Sequence, residues 1–78
     1  TNAFVVNVET MAYNMGRLVM ANKCAQYGPH LTDLGGFLAF DDDQFIDEVA
    51  TALGYKKGSL VYVHFKQGAR DELRSCLD

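Results

Sequence analysis

The stretch LVYVHFKQGARDELRSCL, residues 60–77, decides how the fold is interpreted. Its first six residues alternate between two faces and are rich in β-branched and aromatic side chains, a pattern that predicts a β-strand over residues 60–65. The glycine in the next three residues predicts a turn over residues 66–68. ARDELRSCL then predicts a terminal helix over residues 69–77. The end of the chain is therefore expected to supply one strand and one helix.

The predicted strand would turn one face away from the core, formed by Leu60, Tyr62 and His64. An exposed apolar and aromatic strip of this kind could form a protein interface, including one that pairs two copies of the chain. The terminal helix would instead bury one stripe of its surface against the sheet. The side chains of that stripe are Ala69, Leu73, Cys76 and Leu77.

The preceding segment, FLAFDDDQFIDEV over residues 37–49, predicts a short buried strand followed by a helix. Asp41 can cap the N-terminus of this helix, and Gln44 then stands where it can close a capping box. Gly54 fits the left-handed position that ends a helix, and the KKGS that follows predicts a turn. The apolar stripe of the helix would consist of Phe45, Ile46, Val49, Ala50 and Leu53.

The first third of the chain contains one segment that is compatible with two secondary structures. Residues 4–9 alternate and predict a strand with one polar face. Residues 11–27 allow a helix capped by Thr10 or a hairpin that turns near Gly16. A glycine inside a helix costs about 1 kcal/mol relative to alanine. The good helix formers and the stop signal at 28–29 nevertheless favour the helix.

These elements predict an α+β fold in which a small sheet of three or four strands packs against two or three helices. Residues 1–78 form a single domain, because 78 residues leave no room for a second core. Apolar residues make up 49% of the chain and charged residues 22%, which is typical of a folded globular protein and not of a disordered one.

The net charge, the length of the apolar runs and the cysteines limit the partners and the compartment that the sequence predicts. A net charge of −3 disfavours nucleic acid, because binding to phosphates depends on Lys and Arg. No apolar run approaches the roughly 20 residues of a membrane helix, and the N-terminus does not resemble a signal peptide. Cys24 and Cys76 are expected to be free thiols, with a single disulfide as the alternative. These features predict a cytoplasmic, intracellular protein that does not contact a membrane.

The acidic run is the strongest candidate for a binding site. Three consecutive aspartates from Asp41 are accounted for by helix capping and by the helix dipole, which favours carboxylates in the first turn by roughly 0.3–1 kcal/mol each. Ile46 stands where a calcium loop of the EF-hand type needs glycine, so that type of site is excluded. The acids would instead meet a basic protein surface, with Tyr62 as an anchor. The residues of this predicted partner site are Asp42, Asp43, Asp47, Glu48 and Tyr62.

Two other classes of function remain as alternatives. Tyr62 with Lys56, Lys57 and Lys66 could stack on and neutralise single-stranded nucleic acid. A small thiol- or metal-dependent enzyme would need Cys24 paired with His30 or His64, but the cysteines and histidines do not show the close spacings of zinc sites. We therefore expect no catalytic residue, no metal and no cofactor.

Two regions of opposite charge without a catalytic constellation favour a binding protein over an enzyme. The acids lie at residues 41–48 and the bases at 56–74. The expected function is that of a small non-enzymatic protein-binding module, an inhibitor or an adaptor. Inhibitors of host or defence proteins made by phages belong to this class, which is an analogy of class and not of motif.

Overall fold

The computed structural model describes residues 7–27 and 42–77, which form three helices. Helix α1 spans Val8–Tyr27, α2 spans Asp42–Ala52 and α3 spans Leu60–Leu77. The described residues contain no β-strand, so the predicted α+β fold with a three- or four-stranded sheet is wrong. The chain is instead helical throughout these two ranges, apart from the turn between α2 and α3.

Helix α3 is the largest correction. The residues predicted as a strand at 60–65 and as a turn at 66–68 are its first nine residues, so the terminal helix begins well before residue 69. Ser59 caps it: the Ser59 hydroxyl accepts a hydrogen bond from the Tyr62 amide at 3.2 Å. A serine before the first helical residue satisfies one of the free amide groups of the first turn. Ser59 is the last residue of the predicted turn at KKGS, which is confirmed, with Gly58 at a φ of 88°.

The burial pattern of α3 explains why the helix is more stable than the strand. Side chains three or four positions apart share one face of a helix, whereas side chains two positions apart do not. Leu60 and His64 therefore lie on a different face of α3 from Tyr62. Leu60 is 65% exposed whereas Tyr62 is buried, so the expected strip of Leu60, Tyr62 and His64 does not exist. In residues 60–65, tertiary packing therefore outweighs the local propensity to form a strand. The buried positions of α3 are Tyr62, Phe65, Gly68, Ala69 and Leu73.

Helix α1 confirms the helical interpretation of residues 11–27 and excludes the hairpin. It begins earlier than expected, because Asn7 and not Thr10 is the cap: the Asn7 side-chain oxygen accepts the Glu9 amide at 2.7 Å. Val8 and Glu9 are therefore helical and do not belong to a strand. The rest of the predicted strand at 4–9 lies mostly outside the described residues, as do the predicted strand at 37–40 and the Asp41 cap.

Helices α1 and α3 lie parallel in close contact, and two glycines make this possible. A Cβ atom on Gly16 would fall inside the backbone of Phe65 and 2.9 Å from the Ala69 amide nitrogen. A Cβ atom on Gly68 would likewise overlap the Tyr13 carbonyl group. The absence of a side chain at both positions lets the two backbones touch. Gly16, which disfavours the helix by itself, is thus required by the packing of that helix.

A disulfide joins the same two helices near their C-terminal ends. Cys24 of α1 is bonded to Cys76 of α3, with their Cα atoms 6.5 Å apart, and the described residues contain no free cysteine. The expectation of two free thiols is therefore wrong, and the alternative of a single disulfide is the one the structure shows. The two bonded residues are 52 positions apart in the sequence, so the bond closes most of the chain into a loop.

Helix α2 runs antiparallel to α3 and ends as predicted. Gly54 has a φ of 86° just after its end, and the Tyr55 amide donates to the Ala50 carbonyl at 2.9 Å. This is the hydrogen-bond pattern of a helix closed by a left-handed glycine. The predicted inner stripe is broadly right, since Ile46 and Ala50 are buried, but Leu53 lies beyond the helix and is exposed. The core consists of Ala12, Met20, Cys24, Ile46, Ala50, Tyr62, Phe65, Ala69 and Leu73.

Candidate functional site

Two acids of the predicted partner site, Asp43 and Asp47, contact side chains of α3 and of the turn before it. The carboxylate of Asp43 accepts a hydrogen bond from the Arg70 guanidinium at 2.5 Å and lies 3.7 Å from the Lys66 ammonium. The hydrogen bond from Arg70, followed by the charges of both bases, holds the pKa of Asp43 below its usual range. Asp43 therefore already has two cationic partners within the chain.

Asp47, one turn further along α2, has a similar position. Its carboxylate accepts a hydrogen bond from the Tyr62 hydroxyl and lies 3.8 Å from the Lys57 ammonium. Tyr62 is only 7% exposed, and its ring is 5.7 Å from the Lys66 ammonium. The bond to Asp47, together with burial, raises the pKa of the Tyr62 hydroxyl. Tyr62 is thus a core residue that links α2 to α3.

The remaining residues of the predicted sites lie at the edge of this contact. Glu48 is exposed and accepts a hydrogen bond from the Gln44 side chain at 3.2 Å. Lys56 is exposed in the turn after α2. Asp42 is the first residue of α2, and its side chain lies outside the described part of the structure. The acidic and basic regions, which the sequence places far apart, are therefore largely brought against each other by the fold.

A second set of polar contacts joins α1 to α3. The Tyr13 hydroxyl donates to the Asp71 carboxylate at 2.5 Å, and the Arg17 guanidinium donates to Glu72 at 3.2 Å. The first of these bonds raises the pKa of Tyr13 and lowers that of Asp71. Near the N-terminal ends of the same helices, the His64 imidazole lies 3.7 Å from Glu9. All of these groups connect helices.

The described residues that were considered for thiol or metal chemistry do not form a site. Cys24 is bonded to Cys76 and therefore offers neither a thiolate nucleophile nor a thiolate ligand. His64 faces Glu9, and His30 lies outside the described residues. Within residues 7–27 and 42–77, no group of three or more His, Cys, Asp or Glu side chains is placed to hold a metal ion.

The surface that stands out is an exposed apolar stripe on α1. Val8 is 61% exposed, Met11 54%, Met15 37% and Leu18 57%. They are separated by three, four and three residues, which aligns them along one side of the helix. The buried positions of α1 lie on another side, where the helix contacts α3. We call these four side chains the α1 stripe.

The three charged residues of α1 are each engaged with another helix. Glu9 lies near His64, Arg17 is bonded to Glu72, and the Lys23 ammonium lies over the ring of Phe45. Apart from Arg17, which is bonded to Glu72, the exposed residues beside the stripe, including the cap, carry amides, a hydroxyl or a methyl group. They are Asn7, Thr10, Asn14, Asn22, Ala25 and Gln26.

Sequence reasoning missed the α1 stripe because it assigned Val8 to a strand. Once Asn7 is taken as the cap, the four apolar residues fall in a continuous helical pattern that begins at the first helical residue. The signal that could have found it is the Asn–x–Glu start, in which an asparagine precedes an acidic first turn.

Comparisons with protein-family models, with curated proteins and with solved structures find no match to this chain. None of the helices in the described residues combines the length and the apolar character needed to cross a lipid bilayer. The candidate site therefore depends on the geometry alone.

Proposed function

We propose that the chain is a non-enzymatic protein-binding module and that the α1 stripe is its binding surface. The observation that supports this proposal is the alignment of four exposed, large apolar side chains along one side of a regular helix. A contiguous apolar patch of this kind on a folded protein is typical of an interaction site, whereas single exposed apolar residues are ordinary.

The composition of the α1 stripe suits a helical partner. Side chains at this spacing are the anchors by which one helix packs against another helix or into an apolar groove. Burial of a Val, Leu or Met side chain contributes roughly 1.5–3 kcal/mol when it is complete. Met11 and Met15 are unbranched and adapt to irregular surfaces, which is why methionine is frequent at protein-binding sites.

The acidic residues proposed from the sequence have weaker support as a binding surface. A basic partner at Asp43 would have to compete with Arg70 and Lys66, which already hold that carboxylate. Glu48 remains exposed and could add an electrostatic contribution at the edge of an interface. Nucleic acid has less support still, because Tyr62 is buried under Lys66 and bonded to Asp47 and cannot stack on a base.

The disulfide bears on the compartment. The expectation of a cytoplasmic location depended in part on free cysteines, and Cys24 is bonded to Cys76. Disulfides persist in oxidising compartments and are rare where thiols are kept reduced. We therefore propose an oxidising compartment as the working location. Alkylation of the protein in its native extract, before any reductant is added, tests it: reactive thiols at both cysteines would favour the cytoplasm instead.

A pair of matched double variants tests the binding surface. Val8→Gln/Leu18→Gln removes two apolar side chains from the α1 stripe, and Leu60→Gln/Val63→Gln removes the same two residue types from the exposed side of α3. Chemical cross-linking in the native extract, followed by affinity capture of each tagged protein, compares them, because cross-linking retains a partner that would dissociate on dilution. We expect a stoichiometric partner, which includes untagged copies of the chain itself, to be retained by the wild type and the α3 variant and lost by the α1 variant. Retention by all three proteins would contradict the proposal.

A further inference from the structure

We infer that the partner of the α1 stripe is the same stripe on a second copy of the chain, with the two α1 helices side by side and parallel. This inference deepens the proposed function and rests on it. Its three supports are the spacing of the stripe, the engagement of the charged α1 residues with other helices and the identity of the next residue in the series.

The spacing of the α1 stripe continues beyond its last apolar member. From Val8 the steps of three and four residues lead through Met11, Met15 and Leu18 to Asn22 and then to Ala25, and both of these last residues are exposed. This alternation of steps is the seam of a two-helix coiled coil, in which every such position packs into the facing helix. The seam rises roughly 26 Å along the helix at 1.5 Å per residue.

The charge distribution favours pairing with an identical surface. An interface between two copies related by a two-fold axis brings each patch against itself, so a charged patch would repel its copy. The α1 stripe avoids this repulsion, because the charged side chains of α1 contact α2 or α3 instead.

Asn22 selects the orientation. Its carboxamide is both a donor and an acceptor, so two Asn22 side chains that face each other can form hydrogen bonds to one another. Parallel pairing about a two-fold axis places Asn22 against Asn22, and a single asparagine in an apolar seam specifies this register in two-stranded coiled coils. An entirely apolar partner helix, or an antiparallel copy, would leave the buried amide without that partner, at a cost of about 1–3 kcal/mol.

The size of the seam predicts a weak dimer. Stable interfaces bury about 800 Å² on each partner, and one helix face of this length with only four large apolar side chains falls short of that value. The dimer should therefore dissociate on dilution. Its population is expected to rise with protein concentration through the micromolar to millimolar range.

Sedimentation equilibrium of the oxidised protein over a series of concentrations tests the second copy as partner. We expect a reversible monomer–dimer equilibrium for the wild type and for Leu60→Gln/Val63→Gln. Val8→Gln/Leu18→Gln should weaken the dimer by at least tenfold. A wild type that stays monomeric at every concentration overturns the self-pairing, and so does an equal dimer in all three proteins. Loss of self-pairing leaves the capture experiment free to identify a different partner, so the two proposals can fail separately.

A mixture of charge variants tests the parallel orientation. Asn22→Lys and Asn22→Glu each place two like charges face to face in a parallel pair, and each should be more monomeric than the wild type. An equimolar mixture should restore a dimer at least as stable as that of the wild type, because each Lys then meets a Glu. Circular dichroism confirms that both variants remain helical. Failure of the mixture to form a dimer that the wild type forms overturns the parallel arrangement.

Discussion

The two contacts made by α3 differ in kind. Against α1 it packs backbone to backbone at Gly16 and Gly68, and a disulfide closes the C-terminal end. Against α2 the described polar contacts are those of Asp43 and Asp47 with side chains of α3 and of the turn before it. The first contact depends on shape and on a covalent bond. The first contact also carries polar groups, the Tyr13–Asp71 and Arg17–Glu72 bonds, but the disulfide holds it together independently of them. The second has charged groups at the rim of an apolar core and no disulfide, so changes in pH and in salt should loosen the second contact before the first.

The disulfide should give the largest effect on stability. In the chain-entropy treatment, a bond across 52 positions stabilises the folded state by about 4 kcal/mol at 25 °C. We expect Cys24→Ala/Cys76→Ala to lose most of that free energy of unfolding, measured by urea denaturation. Reduction of the wild-type protein should produce a similar loss, which serves as the control. Equal midpoints for oxidised, reduced and doubly substituted protein would show that the bond contributes nothing to the α1–α3 contact.

The glycine contact should give the next largest effect. Gly16→Ala places a methyl group against the backbone around Phe65, and backbone atoms cannot move aside as a flexible side chain can. Overpacking of this type costs about 1–3 kcal/mol, which should exceed the gain of about 1 kcal/mol that alanine brings to a helix. We expect a net loss of stability in thermal unfolding, and the same sign for Gly68→Ala.

Gly54→Ala is the matched control for these substitutions. No atom lies within 4 Å of a Cβ at Gly54, so its cost arises from the positive φ alone. That cost is about 1 kcal/mol, and Gly54→Asn should recover part of it because asparagine tolerates the left-handed conformation. If Gly16→Ala proves stabilising, the two helices are not in backbone contact and the comparison of the two interfaces fails.

How much of this fold can be predicted from the sequence is clearest in α3. Its C-terminal half is evident from residues 69–77, because the apolar residues there follow the helical period. The sequence of its N-terminal half predicts a strand, because a run of six residues rich in β-branched and aromatic side chains satisfies a period of two as well as one of 3.6. The cap at Ser59 distinguishes the two. The turn at KKGS is predicted correctly, but the serine at its end starts a helix only if its hydroxyl accepts the Tyr62 amide, which a local pattern does not reveal.

The contacts that determine which surfaces remain for a partner were harder to predict from the sequence than the helices themselves. Local rules predict a turn at Gly68. Its role in helix packing is evident only from the structure, where the Tyr13 backbone of another helix lies against it. Likewise, Asp43 and Arg70 are separated by 27 positions, and no spacing rule indicates that they neutralise each other. Patterns within a helix can be predicted from sequence, whereas contacts between helices decide which of its residues remain available to a partner.

The α2–α3 contact should be weakened by acid. Folding lowers the pKa of Asp43 from its usual value of 3.8. The stability that the ionised carboxylate contributes is therefore fully present above pH 3.8, and it is lost as the pH falls through the lower pKa of the folded state. We expect amide hydrogen exchange in α2 to become faster relative to α1 as the pH falls below about 4. High salt should act in the same direction. Asp43→Asn should remove most of the pH dependence, and uniform exchange changes in all three helices would contradict this local mechanism.

The smallest effect on stability is expected from the α1 stripe. Val8→Gln/Leu18→Gln replaces two side chains that are more than half exposed, and surface substitutions of this type usually change the free energy of unfolding by less than about 0.5 kcal/mol each. Leu60→Gln/Val63→Gln should have an equally small effect, so the two double variants differ in binding and not in folding. Chemical denaturation of both checks this. A loss above about 2 kcal/mol for the α1 variant alone would mean that the stripe is covered within the folded chain, which would remove it as a binding surface.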